Sequence, residues 1–152
     1  MATKKQTKTA WPFAVDKILE LTLESLKDGL LSSETFRNKP VVIFNSASQC
    51  GYTNQFADFQ RLYEEGSIVP IALPTNEFGA QEPGNDKEIT QFCTIHYNVT
   101  FPVCKKTDLN HPVFQQFGQP DWNFNKYLLD KDHNFVKQFN SDLKPMELLN
   151  HI

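Results

Sequence analysis

Continuous apolar runs alternate with helically spaced ones along this chain. Val41-Val42-Ile43-Phe44 follows Lys39-Pro40 without a polar interruption, the pattern of a strand buried on both faces. Over residues 54–65 the period changes, and Phe56, Phe59, Leu62 and Tyr63 recur at the spacing of a helix. Residues 68–73 (IVPIAL) form a second apolar run. Pro70 inside it has no amide hydrogen to give a ladder, which predicts a sheet edge or a bulge there. The polar loop PTNEFGAQEPGN (74–85) ends in a capping signal, Asn85 with Glu88 three residues on. Ile89, Phe92 and Cys93 then follow as a helical stripe. Residues 99–103 (VTFPV) are predicted extended, because Pro102 disfavours helix at Phe101. Residues 124–129 and 135–139 read as two strands around the turn 130–134 (DKDHN), and a short helix is predicted over 144–151. Near the start, residues 11–16 read as a short strand, and residues 19–31 show no clear period. The alternation predicts an α/β fold with a central mixed sheet flanked by helices. The expected organisation is a flexible basic tail over 1–10 and a single domain over 11–152, with no internal repeat.

Composition narrows the function. At 152 residues the chain is long enough to build a core without staples, and its thirteen phenylalanines supply much of the apolar area. A net charge of −3 gives no basic face for nucleic acid. No apolar run approaches the ~20 residues of a membrane span, so stable membrane insertion is not expected. The opening MATKKQTKTA carries Lys4, Lys5 and Lys8 and no apolar stretch, which is not the pattern of a secretory signal and leads to an expectation of a cytoplasmic location. There are three cysteines, Cys50, Cys93 and Cys104. Their odd number and wide spacing make a poor disulfide framework and lack the paired ligands of a zinc site. In a reducing compartment thiols persist for chemistry or for packing.

Cys50 sits in SASQCGYT (46–53), between the first apolar run and the first helical segment. A thiol in the first turn of a helix meets the positive end of the macrodipole and unpaired amide groups, which favour thiolate. Gly51 beside it permits close approach. These features leave a packing thiol and a nucleophile about evenly matched, since cysteine is also among the most buried residue types.

Three segments taken together change that balance. SASQCGYT, NEFGAQEPG (76–84) and DWNFNKYLLDKD (121–132) resemble, in order and rough spacing, the three motifs of the glutathione peroxidase family, and the resemblance covers residues 40–139. It implies a thioredoxin-like fold and reduction of hydrogen peroxide or organic hydroperoxides without metal, haem or other cofactor. By the same resemblance Cys50 is the peroxidatic residue, and Gln81, Trp122 and Asn123 are the polar residues around it. Their neutral N–H donors suit a thiolate and a small uncharged peroxide.

The resemblance also implies how the cycle closes. Cys93 lies where thioredoxin-dependent members carry a resolving cysteine, so thioredoxin is the expected reductant, and glutathione the alternative. A relay or sensor of peroxide with slow turnover is the reading from another class. Cys93 falls on a buried helical stripe, so pairing with Cys50 is expected to require local unwinding. Cys104 is read as a packing thiol. Thr75 and Glu77 depart from the family pattern, and Glu77 is expected to face solvent, since a carboxylate turned inward would oppose a thiolate. Only residues 104–121 separate Val103 from Trp122, too few for the subunit-contact loop of tetrameric members, which predicts a monomer with an open cleft. Few basic residues surround the motifs to clamp the carboxylates of glutathione.

Overall fold

The computed structural model describes residues 23–152. The basic tail over 1–10 and the strand expected over 11–16 lie outside the described residues, as do residues 19–22.

Chain order runs through β1 (Glu24–Ser25), β2 (Gly29–Leu30), a 3-10 turn (Ser33–Phe36), β3 (Val41–Phe44), α1 (Gln55–Glu65), β4 (Val69–Ala72), α2 (Asp86–Tyr97), α3 (Pro112–Phe117), β5 (Lys126–Leu129), β6 (Phe135–Phe139) and a C-terminal 3-10 helix (Pro145–His151). The central sheet has the order β4-β3-β5-β6, with β3 and β4 parallel and the remaining pairs antiparallel. It is therefore mixed, as the alternation of elements predicts. Strand β4 lies at the end of this order, and Pro70 is accommodated there opposite Val42.

Side chains alternate across the sheet and divide the core in two. Val41, Ile43, Val69, Ile71, Tyr127 and Leu129 pack on one face with Phe36 and Phe114. Val42, Phe44, Ala72 and Leu128 pack on the other with Phe56, Phe59, Ile89 and Leu148. Each face thus has its own helical cover, and the sheet is the partition between them. On the second face Phe44 is the hub: its ring stacks on Phe59 at 3.9 Å and meets Phe56, Phe101 and Phe124 between 5.7 and 6.0 Å. Aromatic pairs at these separations add to simple burial and stiffen the floor beneath the loop that follows β3.

The capping box at Asn85 is present in full. The Glu88 amide donates to Asn85 Oδ1 at 2.9 Å, and the Asn85 amide donates to Glu88 Oε1 at 2.8 Å. Three elements escape the sequence pattern. The β1–β2 hairpin has two residues per strand, too short to show a period. Helix α3 is six residues long and starts on His111, whose Nδ1 accepts the Val113 amide at 3.1 Å. The 3-10 turn over Ser33–Phe36 is a single turn capped by Ser32. The strand expected from residue 124 starts two residues later, because Phe124 takes φ = 65°.

Candidate active site

Three connections converge beyond the carboxyl end of β3: the loop to α1, the loop 73–85 after β4, and the turn 121–125 before β5. Ser46 N donates to the Leu73 carbonyl at 3.2 Å and Thr75 N to the Ser46 carbonyl at 3.1 Å, zipping the first two together. The third is fastened by Asn45, whose Nδ2 donates to the Trp122 carbonyl at 2.7 Å and whose carbonyl accepts the Phe124 amide.

Cys50 is half-buried on the first loop, against the second core face. Helix α1 proper begins at Gln55, so Cys50 lies upstream of the first helical turn where the sequence pattern puts it. The reason is Thr53. Its hydroxyl accepts the Cys50 amide at 2.9 Å and donates to the Ala47 carbonyl at 2.8 Å, which folds residues 47–53 into a tight turn ahead of the helix. The Tyr52 amide then points at Cys50 Sγ across 3.4 Å. The thiol is met by an oriented N–H, although this comes from the turn and not from the helix end.

Gln81 is tied to this loop through its backbone, since its carbonyl accepts the Gln49 amide at 3.0 Å. Its side chain is held by Asn123, whose Nδ2 donates to Gln81 Oε1 at 3.1 Å and to the Phe78 carbonyl at 3.2 Å. The Phe78 carbonyl fixes which end of the Asn123 amide is nitrogen. Asn123 therefore spends its donors on Gln81 and Phe78, and it leaves Gln81 Nε2 without a hydrogen bond among the described residues. Trp122 packs over the turn 77–80: its ring lies 5.9 Å from Phe78, and a Cβ built on Gly79 would stand 3.0 Å from its outer edge. Gly79 has φ = 67°, so both backbone and space require glycine at that position. The Trp122 indole N–H makes no hydrogen bond among the described residues. The four residues singled out by the sequence are thus gathered on three neighbouring loops, with Asn123 orienting Gln81 as a role the sequence did not specify.

Cys93 sits on the inward face of α2, 3% exposed, within the same core cluster that Cys50 abuts. Burial, with the charge of Glu82 adding to it, pushes its thiol up to about 12. Cys104 is also buried and raised to about 12, but it packs in the cluster on the opposite face of the sheet. All three cysteines are free thiols. Glu77 is exposed, as expected. Among the described residues no cluster of His, Cys, Asp or Glu has the arrangement of a metal site, and no helix is long and apolar enough to cross a membrane.

Two buried ionisable residues around this site, Glu82 and Lys126, lie inside the motif segments without being among the residues the resemblance singles out. Glu82 is 2% exposed and accepts the Ser48 amide at 3.2 Å, while its own amide donates to Asn76 Oδ1 at 2.8 Å. Burial raises its carboxyl, and the Ser48 hydrogen bonds and Lys106 partly oppose that. It borders a cavity of about 350 Å³ between the Cys50 loop and α2, lined also by Ile89 and Phe92. Lys126 is fully buried in β5. A lysine inside the apolar run of β5 was a visible anomaly in the sequence, whereas Glu82 in a polar loop was not.

A thiol on a turn between a strand and a helix, beside a mixed sheet covered on both faces, defines a thiol oxidoreductase of thioredoxin-like architecture. A thioredoxin-like protein from Aeropyrum pernix superposes with a TM-score of 0.66 over 96% of this chain and 97% of that one, at 14% identity, which speaks for the fold. The glutathione peroxidase family model matches residues 18–124. The glutathione peroxidase-like peroxiredoxin HYR1 of Saccharomyces cerevisiae is 40% identical over 133 residues, covering 76% of this chain and 81% of that protein. A glutathione peroxidase homolog, BsaA, of Staphylococcus epidermidis is 36% identical over 135 residues, covering 78% and 85%. The chain belongs to the glutathione peroxidase family, and it is a thiol-based peroxidase.

Proposed function

We propose that the protein reduces hydrogen peroxide and organic hydroperoxides through Cys50, with Cys93 resolving the oxidised intermediate and thioredoxin restoring both thiols. The Cys50 thiolate attacks one peroxide oxygen, the O–O bond breaks, and the departing oxygen leaves as water or alcohol once protonated. Cys50 is then a sulfenic acid. Gln81 Nε2 and the Trp122 N–H are the donors suited to the charge that develops on the leaving oxygen. The Cys93 thiolate next attacks the Cys50 sulfur, the S–O bond breaks, hydroxide leaves as water, and a disulfide remains for a dithiol reductant.

The observation that carries this reading is the placement of the three cysteines. Cys93 shares the core face that Cys50 abuts, and Cys104 lies across the sheet. Because Cys93 is buried and held protonated, α2 has to open around it before the second step. That requirement favours a protein dithiol that acts on an exposed, rearranged disulfide. The names of the yeast relatives, which are peroxiredoxins, point the same way. Peroxide consumption coupled to thioredoxin and its reductase is expected to outpace consumption with glutathione at equal thiol concentration. The reverse ranking would favour glutathione as reductant, and slow turnover with both would favour the relay reading. We also propose a monomer in the cytoplasm, which sedimentation and cell fractionation test.

A further inference from the structure

Lys126 has no exposed surface and forms no ion pair within 4 Å among the described residues, yet its ammonium is surrounded by carbonyls. Nζ donates to the Phe124 carbonyl at 2.8 Å, the Ser141 carbonyl at 2.9 Å and, at the limit of a hydrogen bond, the Asn140 carbonyl at 3.5 Å. Three donors meeting three acceptors is what an ammonium satisfies and a neutral amine does not.

The groups it ties are those that fix the turn before β5. Phe124 holds φ = 65°, a left-handed conformation that strains a bulky residue and persists only where its surroundings impose it. Ser141 is the second anchor. Its hydroxyl donates to the Asn123 carbonyl in a short bond and accepts from Asn125 Nδ2 at 3.1 Å. Its carbonyl also accepts Gln55 Nε2, at the head of α1, at 2.9 Å. A continuous path therefore runs from Lys126 through Ser141 and Phe124 to Asn123, and from Asn123 to the Gln81 amide at 3.1 Å.

We propose that Lys126 is a positioning residue for peroxide reduction: its ammonium clamps the Phe124 and Ser141 carbonyls and so keeps Asn123, and through it the Gln81 amide, in register beside the Cys50 loop. The role rests on the assignment of Cys50 as the peroxidatic residue. Lys126 also titrates where this clamp matters. Burial pulls it down to about 7 from an ordinary 10.5, against the opposing charges of Asp142 and Glu147 from the C-terminal segment. Gln55 of α1, which shares the Ser141 carbonyl with Lys126, is neutral.

The test compares two rates at Cys50 from pH 6 to pH 8: oxidation by hydrogen peroxide and alkylation by iodoacetamide. Both follow the thiolate, so their ratio isolates the contribution of the positioned donors. In the wild type the ratio is expected to fall several-fold as pH rises through about 7. Lys126→Met is expected to lower the ratio about tenfold, as modest misplacement of donors does, and to flatten its pH dependence. Lys126→Arg, charged throughout, should restore much of the ratio and remain flat. A Lys126→Met ratio within twofold of wild type overturns the proposal, as does a Lys126→Arg ratio no higher than that of Lys126→Met. Peroxide reduction that survives Cys50→Ser defeats the peroxidatic assignment itself, an outcome distinct from these.

Discussion

The Asn123 side chain donates to Gln81 Oε1 at 3.1 Å and so turns the Gln81 amide nitrogen into the free donor of the pair. Donation from Asn123 to the substrate is not needed for this arrangement to work. Gln81→Ala is expected to slow oxidation of Cys50 by about a hundredfold, the usual cost of one preorganised donor. Asn123→Ala should cost less, and the double variant should be no slower than Gln81→Ala. Stopped-flow oxidation of the four proteins completes the cycle, and additive losses would mean that Asn123 acts on its own.

If Cys93 resolves the oxidised Cys50 as proposed, α2 has to open first, because Cys93 is buried and its thiol stands at about 12 in the closed helix. The Asn85 capping box holds the near end of that helix closed. Asn85→Ala removes about 1 kcal/mol of cap, which corresponds to up to about fivefold in the open population. Disulfide formation after a peroxide pulse, followed by quenching and mass spectrometry, should accelerate by that factor. An unchanged rate would place the barrier elsewhere.

Glu82 and Lys126 give opposite signatures in stability against pH. The carboxyl of Glu82 is raised by burial, so its charged form costs stability above its folded pKa, and that cost is relieved as pH falls towards the unfolded value of 4.5. Glu82→Gln keeps an acceptor for the Ser48 amide and should stabilise the fold at pH 7–8, with the gain fading towards pH 4.5. For Lys126 the unfolded chain binds the extra proton between about 7 and 10.5, so its contribution rises with pH in that window, at up to about 1.4 kcal/mol per unit. The difference between wild type and Lys126→Met in urea melts should follow that slope between pH 7 and 8.5. Above pH 9 the raised thiols Cys93 and Cys104 add an opposite slope, because the fold retains their protons after the unfolded chain has lost them.

Cys104 fills core on the far side of the sheet from Cys50. Cys104→Ala is expected to cost about 1 kcal/mol of stability through the small cavity it leaves. Peroxide turnover with thioredoxin should stay within twofold of wild type in a coupled assay. Loss of turnover with the fold intact would show that Cys104 takes part in resolution.

The layer order was legible in the sequence wherever an element repeated its pattern often enough. The run at Val41–Phe44 showed a strand buried on both faces, Pro70 pointed to an edge or a bulge and lies in the end strand β4, and Asn85 with Glu88 showed the start of α2. Elements of two to six residues, the β1–β2 hairpin and α3, are set by contacts distant in sequence and have no period to read. At the site, Cys50, Gln81, Trp122 and Asn123 were legible as residues but not as a circuit. That Asn123 serves Gln81 depends on the left-handed turn at Phe124, and nothing local requires a phenylalanine to adopt it. The early position of Cys50 was hidden for a similar reason, since the Thr53 hydroxyl competes with the helix for the Cys50 amide.

In the proposed cycle Cys50 is oxidised first, and Cys93, opened from α2, completes the turnover. Peptide mapping of the protein after one equivalent of hydrogen peroxide, with free thiols blocked before digestion, tests it most directly. A Cys50–Cys93 linked peptide is expected as the dominant product, with Cys104 alkylated. A Cys50–Cys104 linkage, or a persistent Cys50 sulfenic acid beside a free Cys93, would contradict it.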